Sequence, residues 1–109
     1  MPITIEQEVR NIAEAIMNSV DCERIYLFGS YAYGEPHAES DLDFYVVISD
    51  TADRPIEVMH RIRDCISDGQ RSVSVDIIAG RASRFARLSS LPTMERRVAE
   101  EGILLYERV

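Results

Sequence analysis

The segment from Phe28 to Phe44 holds the residues best suited to chemistry. A Gly29-Ser30 pair closes a short apolar run, and Asp41-Leu42-Asp43 follows ten residues later. Glycine permits a sharp turn at a strand end. Such a turn brings backbone N–H groups and the Ser30 hydroxyl to the opening of a helical turn, an arrangement that binds phosphate. An ordinary turn with a capping serine has the same sequence. Asp41 and Asp43 are two apart in an extended segment, so their carboxylates share a face with Cα atoms about 6.6 Å apart. Both can reach a common pair of cations, and hard oxygen donors of this kind suit Mg2+ carrying a nucleotide's phosphates. An acidic strand start that keeps a sheet edge soluble reads the same way.

Asp76 adds a third carboxylate. It lies in Ser72-Val-Ser-Val-Asp-Ile-Ile78, a run that alternates and then turns apolar, where an ionised acid is costly to bury without a partner or a role. A carboxylate bonded to a backbone N–H or to an arginine is the plain account. If this strand lies beside the Asp41–Asp43 strand with matching faces, three oxygen donors converge opposite the Gly29-Ser30 turn. That is the outline of a two-metal phosphoryl or nucleotidyl transfer site.

The elements that must position these residues follow from periodicity. Thr4 and Gln7 have capping-box form, and Ile5, Val9, Ile12, Ile16 and Met17 then recur at helical spacing, which predicts an amphipathic helix over 5–20. Residues 24–28 read as a buried strand, and 29–40 as a loop with one helical turn at its start. Residues 41–48 form a second strand, with Leu42, Phe44, Val46 and Ile48 on one face and Asp41, Asp43, Tyr45 and Val47 on the other. Pro55 starts a helix whose apolar face is Val58, Met59, Ile62, Cys65 and Ile66, stopped by Gly69. Residues 81–88 form a short helix or turn, 92–101 a third helix ended by Gly102, and 103–106 a last strand or packed tail. Helices and strands interleave, so an α/β or α+β domain with a mixed sheet flanked by helices is expected, in a single domain over 1–109.

Composition narrows the chemistry further. The chain has 109 residues, 46% of them apolar, enough for a core without staples. Its net charge of −7 disfavours a direct nucleic-acid grip. All 12 basic residues are arginine, which excludes a lysine Schiff base or a phosphate-loop lysine. Cys22, Cys65, His37 and His60 lack metal-site spacing, so zinc is not indicated, and both cysteines read as reduced structural thiols among apolar neighbours. No apolar run is long enough to span a bilayer and the first residues do not form a secretory signal, so a cytoplasmic location without membrane contact is expected. Arg81, Arg84 and Arg87, spaced by three, would share one side of a short helix as a solvated face or a partner contact.

Gly29-Ser30, the spacing to Asp41-Leu42-Asp43, and Val75-Asp76-Ile77 resemble the pattern of polymerase-β-type nucleotidyltransferases. More narrowly, the chain is similar to the small prokaryotic minimal nucleotidyltransferases, as is its Glu100-Glu-Gly-Ile-Leu-Leu-Tyr106 ending. The resemblance implies transfer of AMP from ATP to a hydroxyl. Asp41, Asp43 and Asp76 would hold two Mg2+ ions, Gly29 and Ser30 would bind the triphosphate, and Asp76 would help deprotonate the acceptor. Short chains of this kind resemble antitoxins that add AMP to a tyrosine of a HEPN-type toxin, with which this chain would form a hetero-oligomer. The alternative is a non-catalytic binding module that neutralises a toxin by occlusion. A small-molecule transferase would need an acceptor pocket from another domain or subunit. One departure stands out: the family pattern Gly-Ser-x-Ala-Arg-Gly has arginine where this chain has Tyr33, which would stack on the base or pack the loop.

Overall fold

A computed structural model describes residues 4–37, 40–66 and 73–108. The first helix, α1 (Ile5–Ser19), is capped by Thr4, whose hydroxyl accepts from the Gln7 N–H at 3.1 Å. The Gln7 side chain does not reach back to the cap. It donates to Asn11 at 3.2 Å instead, so the expected box closes in one direction only. Val9, Ile12, Ala13 and Ile16 are buried, whereas Met17, at the rim of the stripe, is exposed.

Four strands form one mixed sheet in the order β3-β2-β1-β4. These are β1 (Cys22–Phe28), β2 (Leu42–Ile48), β3 (Val75–Arg81) and β4 (Ile103–Glu107). β1 pairs antiparallel with both β2 and β4, while β2 and β3 run parallel. The connection between the parallel strands is helical, as parallel pairing requires, through α3 (Pro55–Ile66). A one-turn helix, α2 (Ser30–Tyr33), follows β1; α4 (Ala82–Leu88) and α5 (Met94–Glu101) precede β4. Thr93 caps α5 by accepting from the Arg96 N–H at 3.1 Å, so this helix starts two residues later than Pro92 suggests.

The alternation in β2 divides the core. Leu42, Phe44, Val46 and Ile48 pack with Ile25, Leu27 and Ile77 beneath α1 and α3. Tyr45 and Val47 face the other way, with Tyr26 and Phe28, under Phe85 of α4 and Val98 of α5. The Tyr45 ring lies 5.1 Å from that of Phe85, and its hydroxyl donates to Glu95 at 3.1 Å, which ties the start of α5 to the sheet.

Three expectations need correcting. The third strand is shifted toward the C-terminus relative to 72–78, because it pairs with β2 from Leu42–Val75 through to Ile48–Arg81. Ser72 and Gly69 lie outside the described residues. Arg81 therefore ends a strand rather than joining a helical arginine face, and its guanidinium donates to the carbonyls of Asp50 and Ala52 at 2.8 and 2.9 Å, pinning the loop before α3. Cys22 is buried, and burial pushes its thiol up to about 11, but Cys65 is exposed on α3 despite its apolar spacing. The buried stripe there is Val58, Ile62 and Ile66, two residues fewer than the sequence pattern implies, with Met59 partly buried beside it. Among the described residues no helix is long and apolar enough to cross a membrane.

Candidate active site

Three strands put a lateral row of residues at one end of the sheet. Phe28 on β1 is the register partner of Asp43 on β2, and Asp43 is the partner of Asp76 on β3. Directly paired residues share a face, and adjacent strands are about 4.8 Å apart, so Asp43 and Asp76 stand side by side on the α4/α5 face. The expected convergence of these two acids is present. Their matched parity arises because β2 and β3 are parallel and in register over their whole length.

Gly29 completes the row. Its backbone has φ 78° and ψ −164°, a conformation essentially confined to glycine. A Cβ at this position would run into the Asp43 carboxylate. The chain thus turns from β1 into α2 while its backbone lies against the acid, and only a residue without a side chain permits both. Within α2 the Ala32 and Tyr33 N–H groups both donate to the Gly29 carbonyl, at 3.0 and 2.9 Å, which closes the turn. The Ser30 hydroxyl does not point freely to a ligand: it donates to the Ser40 hydroxyl at 3.0 Å. Ser40, 7% exposed, also accepts from the His37 N–H at 2.8 Å. This small network joins the start of α2 to His37 and Ser40. Sequence reading missed Ser40, whose only signal is a hydroxyl residue next to the first aspartate.

Electrostatics follow from the crowding. Partial burial, with the neighbouring Asp76 and Asp41 carboxylates, pushes Asp43 from its ordinary 3.8 up to about 6. Asp41 precedes β2 by one residue and is exposed, so it acts on Asp43 through its charge from outside the strand. Asp76 departs from expectation, because β3 is an edge strand and its carboxylate is not buried in an apolar interior. Its side chain is 54% exposed and pairs with Arg63 of α3 at 3.7 Å. A half-exposed pair of that length is weak and easily exchanged for another cation.

For a hard divalent ion the donor chemistry fits: carboxylate oxygens on adjacent strands, mutually repelling until a positive charge separates them. The trio is not a finished cage. Among the described residues no group of three or more His, Cys, Asp or Glu is gathered closely enough to hold a metal. Asp43, Asp76 and Gly29 come together; Asp41 stays at the margin.

Tyr33, at the end of α2, packs against the Phe28–Tyr45 side of the core. The Arg97 guanidinium of α5 lies over its ring, 4.0 Å from the centroid. A positive charge therefore sits beside the turn, delivered by a helix far along the chain. Burial raises the Tyr33 hydroxyl above its ordinary range, a backbone group of Gly29 and the Arg97 charge pull it back, and Glu101 and Asp43 add smaller upward pushes. The same side chain thus senses both Arg97 and the acidic row.

Residues 10–109 match the family described as polymerase beta, nucleotidyltransferase. No curated protein matches the chain significantly. Among solved structures, a protein of Sulfolobus solfataricus described as a nucleotidyltransferase is 22% identical, with 92% of this chain and 78% of that one covered and a TM-score of 0.59. A mutant of the toxin–antitoxin MntA-HpeT is also 22% identical, covering 90% of this chain and 72% of that one at a TM-score of 0.57. A toxin–antitoxin structure with AMP-PNP is 21% identical, covering 91% and 73% at a TM-score of 0.53. At these identities the three structures establish a shared fold: a small α+β domain with a four-stranded mixed sheet and five helices.

Proposed function

The chain belongs to the polymerase beta nucleotidyltransferase family, and from that premise we propose that it transfers AMP from ATP to a tyrosine hydroxyl of a HEPN-type toxin, acting as its antitoxin in the cytoplasm. The observation that carries this reading is the paired Asp43 and Asp76, set beside a glycine turn that has no room for a side chain. Asp43, Asp76 and, from the margin, Asp41 would hold two Mg2+ ions. When bound, these supply charge neutralisation for the phosphates and a more acidic attacking hydroxyl. Gly29 and Ser30 line the triphosphate side, and the bonds of Ser40 to Ser30 and to the His37 N–H tie the α2 turn to the residue before Asp41 ahead of substrate. Asp76, half exposed at the sheet edge, exchanges Arg63 for the acceptor and takes part in removing its proton. The acceptor side lies open, so the partner completes it as a hetero-oligomer, with no direct role for nucleic acid. The likeness to toxin–antitoxin structures, one of them with AMP-PNP, supports both the partner class and the nucleotide.

A second reading is occlusion without chemistry. One observation favours it: exposed Met17 and Ile103 border an apolar groove of about 580 Å3 between α1 and β4, a surface that a partner protein could cover. Incubation with labelled ATP, Mg2+ and the product of the neighbouring gene separates the two. Label on the partner with the wild type, and none with Asp41→Asn/Asp43→Asn, is the expected result. Absence of label, or full neutralisation by the double variant at equal concentration, would favour occlusion.

A further inference from the structure

We propose that Arg97, laid on the Tyr33 ring, is a phosphate-binding residue of this site and supplies the positive charge that the Gly29–Tyr33 turn itself lacks. The inference rests on the nucleotidyltransferase reading above and adds a ligand-contacting residue to it. The turn needs such a charge. Asp43 and Asp76 stand beside it, Asp41 adds a further negative charge, and the Ser30 hydroxyl is already engaged with Ser40. A polyphosphate approaching this end of the sheet meets repulsion from every carboxylate that a cation has not neutralised.

Arg97 has the geometry for the task. Its guanidinium is 4.0 Å from the Tyr33 centroid, a cation–π contact that holds the group against the ring. Glu101, one turn on, accepts from Nε at 3.1 Å and tethers the side chain at its inner nitrogen. Among the described residues no hydrogen bond engages the two terminal nitrogens, the fork that meets a phosphate bidentately. The side chain remains 54% exposed, so a ligand can reach it. Tyr33 then has a positioning role: one side packs on the core and the other carries the guanidinium.

Arg96 is a built-in control. It lies on the same helix, pairs with Glu100 at the same 3.1 Å and the same four-residue spacing, and has a similar exposure of 49%. Among the described residues it has no aromatic seat.

The test measures binding of ATP, AMP and adenosine to the full chain in Mg2+, by calorimetry, for wild type and for Arg97→Ala, Arg97→Gln, Arg96→Ala and Tyr33→Leu. Loss of a charge-assisted phosphate contact should weaken ATP about tenfold or more in both Arg97 variants, with adenosine changed less than about twofold. Tyr33→Leu should weaken ATP in the same direction, and Arg96→Ala should match the wild type. Thermal melts run in parallel identify any Arg97 variant that fails to fold, and the other then decides. Wild-type ATP binding that survives both Arg97 substitutions overturns this assignment and leaves the nucleotidyltransferase reading standing. Equal weakening of ATP and adenosine also overturns it, by showing a bracing role only. A wild type that binds no ATP removes both.

Discussion

Gly29→Ala is the most informative single change, because two independent costs meet at one atom. The residue has φ 78° and ψ −164°, a region that non-glycine residues pay about 1–3 kcal/mol to adopt. The added Cβ would also collide with the Asp43 carboxylate, so relief requires that acid to rotate out of the row it forms with Asp76. The backbone alone should therefore lower stability by about 1–3 kcal/mol, with the collision adding to it, at about 4–8 °C of melting temperature for each kcal/mol in a domain of this size. Nucleotide chemistry should fall much further than stability, since the displaced group is the central carboxylate. Gly34→Ala is the matched control. Gly34 has φ 82° and ψ 18°, and a Cβ there meets nothing within 4 Å. It should cost about 1–2 kcal/mol through its left-handed backbone while leaving the acidic row untouched. Urea unfolding gives the stabilities, and AMP transfer at saturating Mg2+ assays the proposed activity. Should both variants lose similar stability and keep similar transfer, the close approach of Gly29 to Asp43 plays no part in the site. Should Gly29→Ala cost less than about 0.5 kcal/mol, the backbone argument fails as well.

Other expectations are equally direct. Asp43 is raised from 3.8 to about 6, so its protonated form favours the fold; that contribution is complete below 3.8 and is lost as pH rises through about 6. Without divalent ions, Asp43→Asn should therefore melt higher than the wild type by a margin that widens from pH 4 to pH 7, and a constant margin would contradict the crowding. Mg2+ should raise the wild-type melting temperature more at pH 7.5 than at pH 5, because proton and cation compete for Asp43; equal shifts would place the ion elsewhere. Ser40→Ala removes a buried hydroxyl that joins Ser30 to the His37 backbone, and should cost about 1–3 kcal/mol and weaken ATP binding; unchanged binding would uncouple this loop from the nucleotide. Tyr45→Phe breaks the bond to Glu95 and should lower stability by about 1 kcal/mol with transfer intact, and a loss of transfer would show that α5 positions the site through that bond.

Local pattern carried a good deal of this protein. The parity of Leu42, Phe44, Val46 and Ile48 against Asp43, Tyr45 and Val47 was legible because strand side chains alternate strictly, and both halves of the core follow it. The glycine turn after Phe28 was legible because the chain must reverse there, and a spaced motif with two acids marks it. Patterns failed where a residue's fate depended on the edge of an element. Cys65 fits an apolar helical spacing yet lies just outside the stripe that α3 buries. Arg81 fits an arginine repeat yet ends a strand, because hydrogen bonding to β2 extends that far.

The residue types and their order therefore determined which chemistry was available: carboxylates, hydroxyls and arginines around one glycine turn, on strands of known facing. Strand adjacency, which depends on pairing between segments far apart in the chain, decided which of those groups meet. It placed Asp76 level with Asp43 but at an open sheet edge, within reach of Arg63, rather than inside the core. It also brought Arg97 onto Tyr33 across a separation no periodicity spans, since a contact between a helix and a distant turn is set by packing against a shared core and leaves no trace in local spacing.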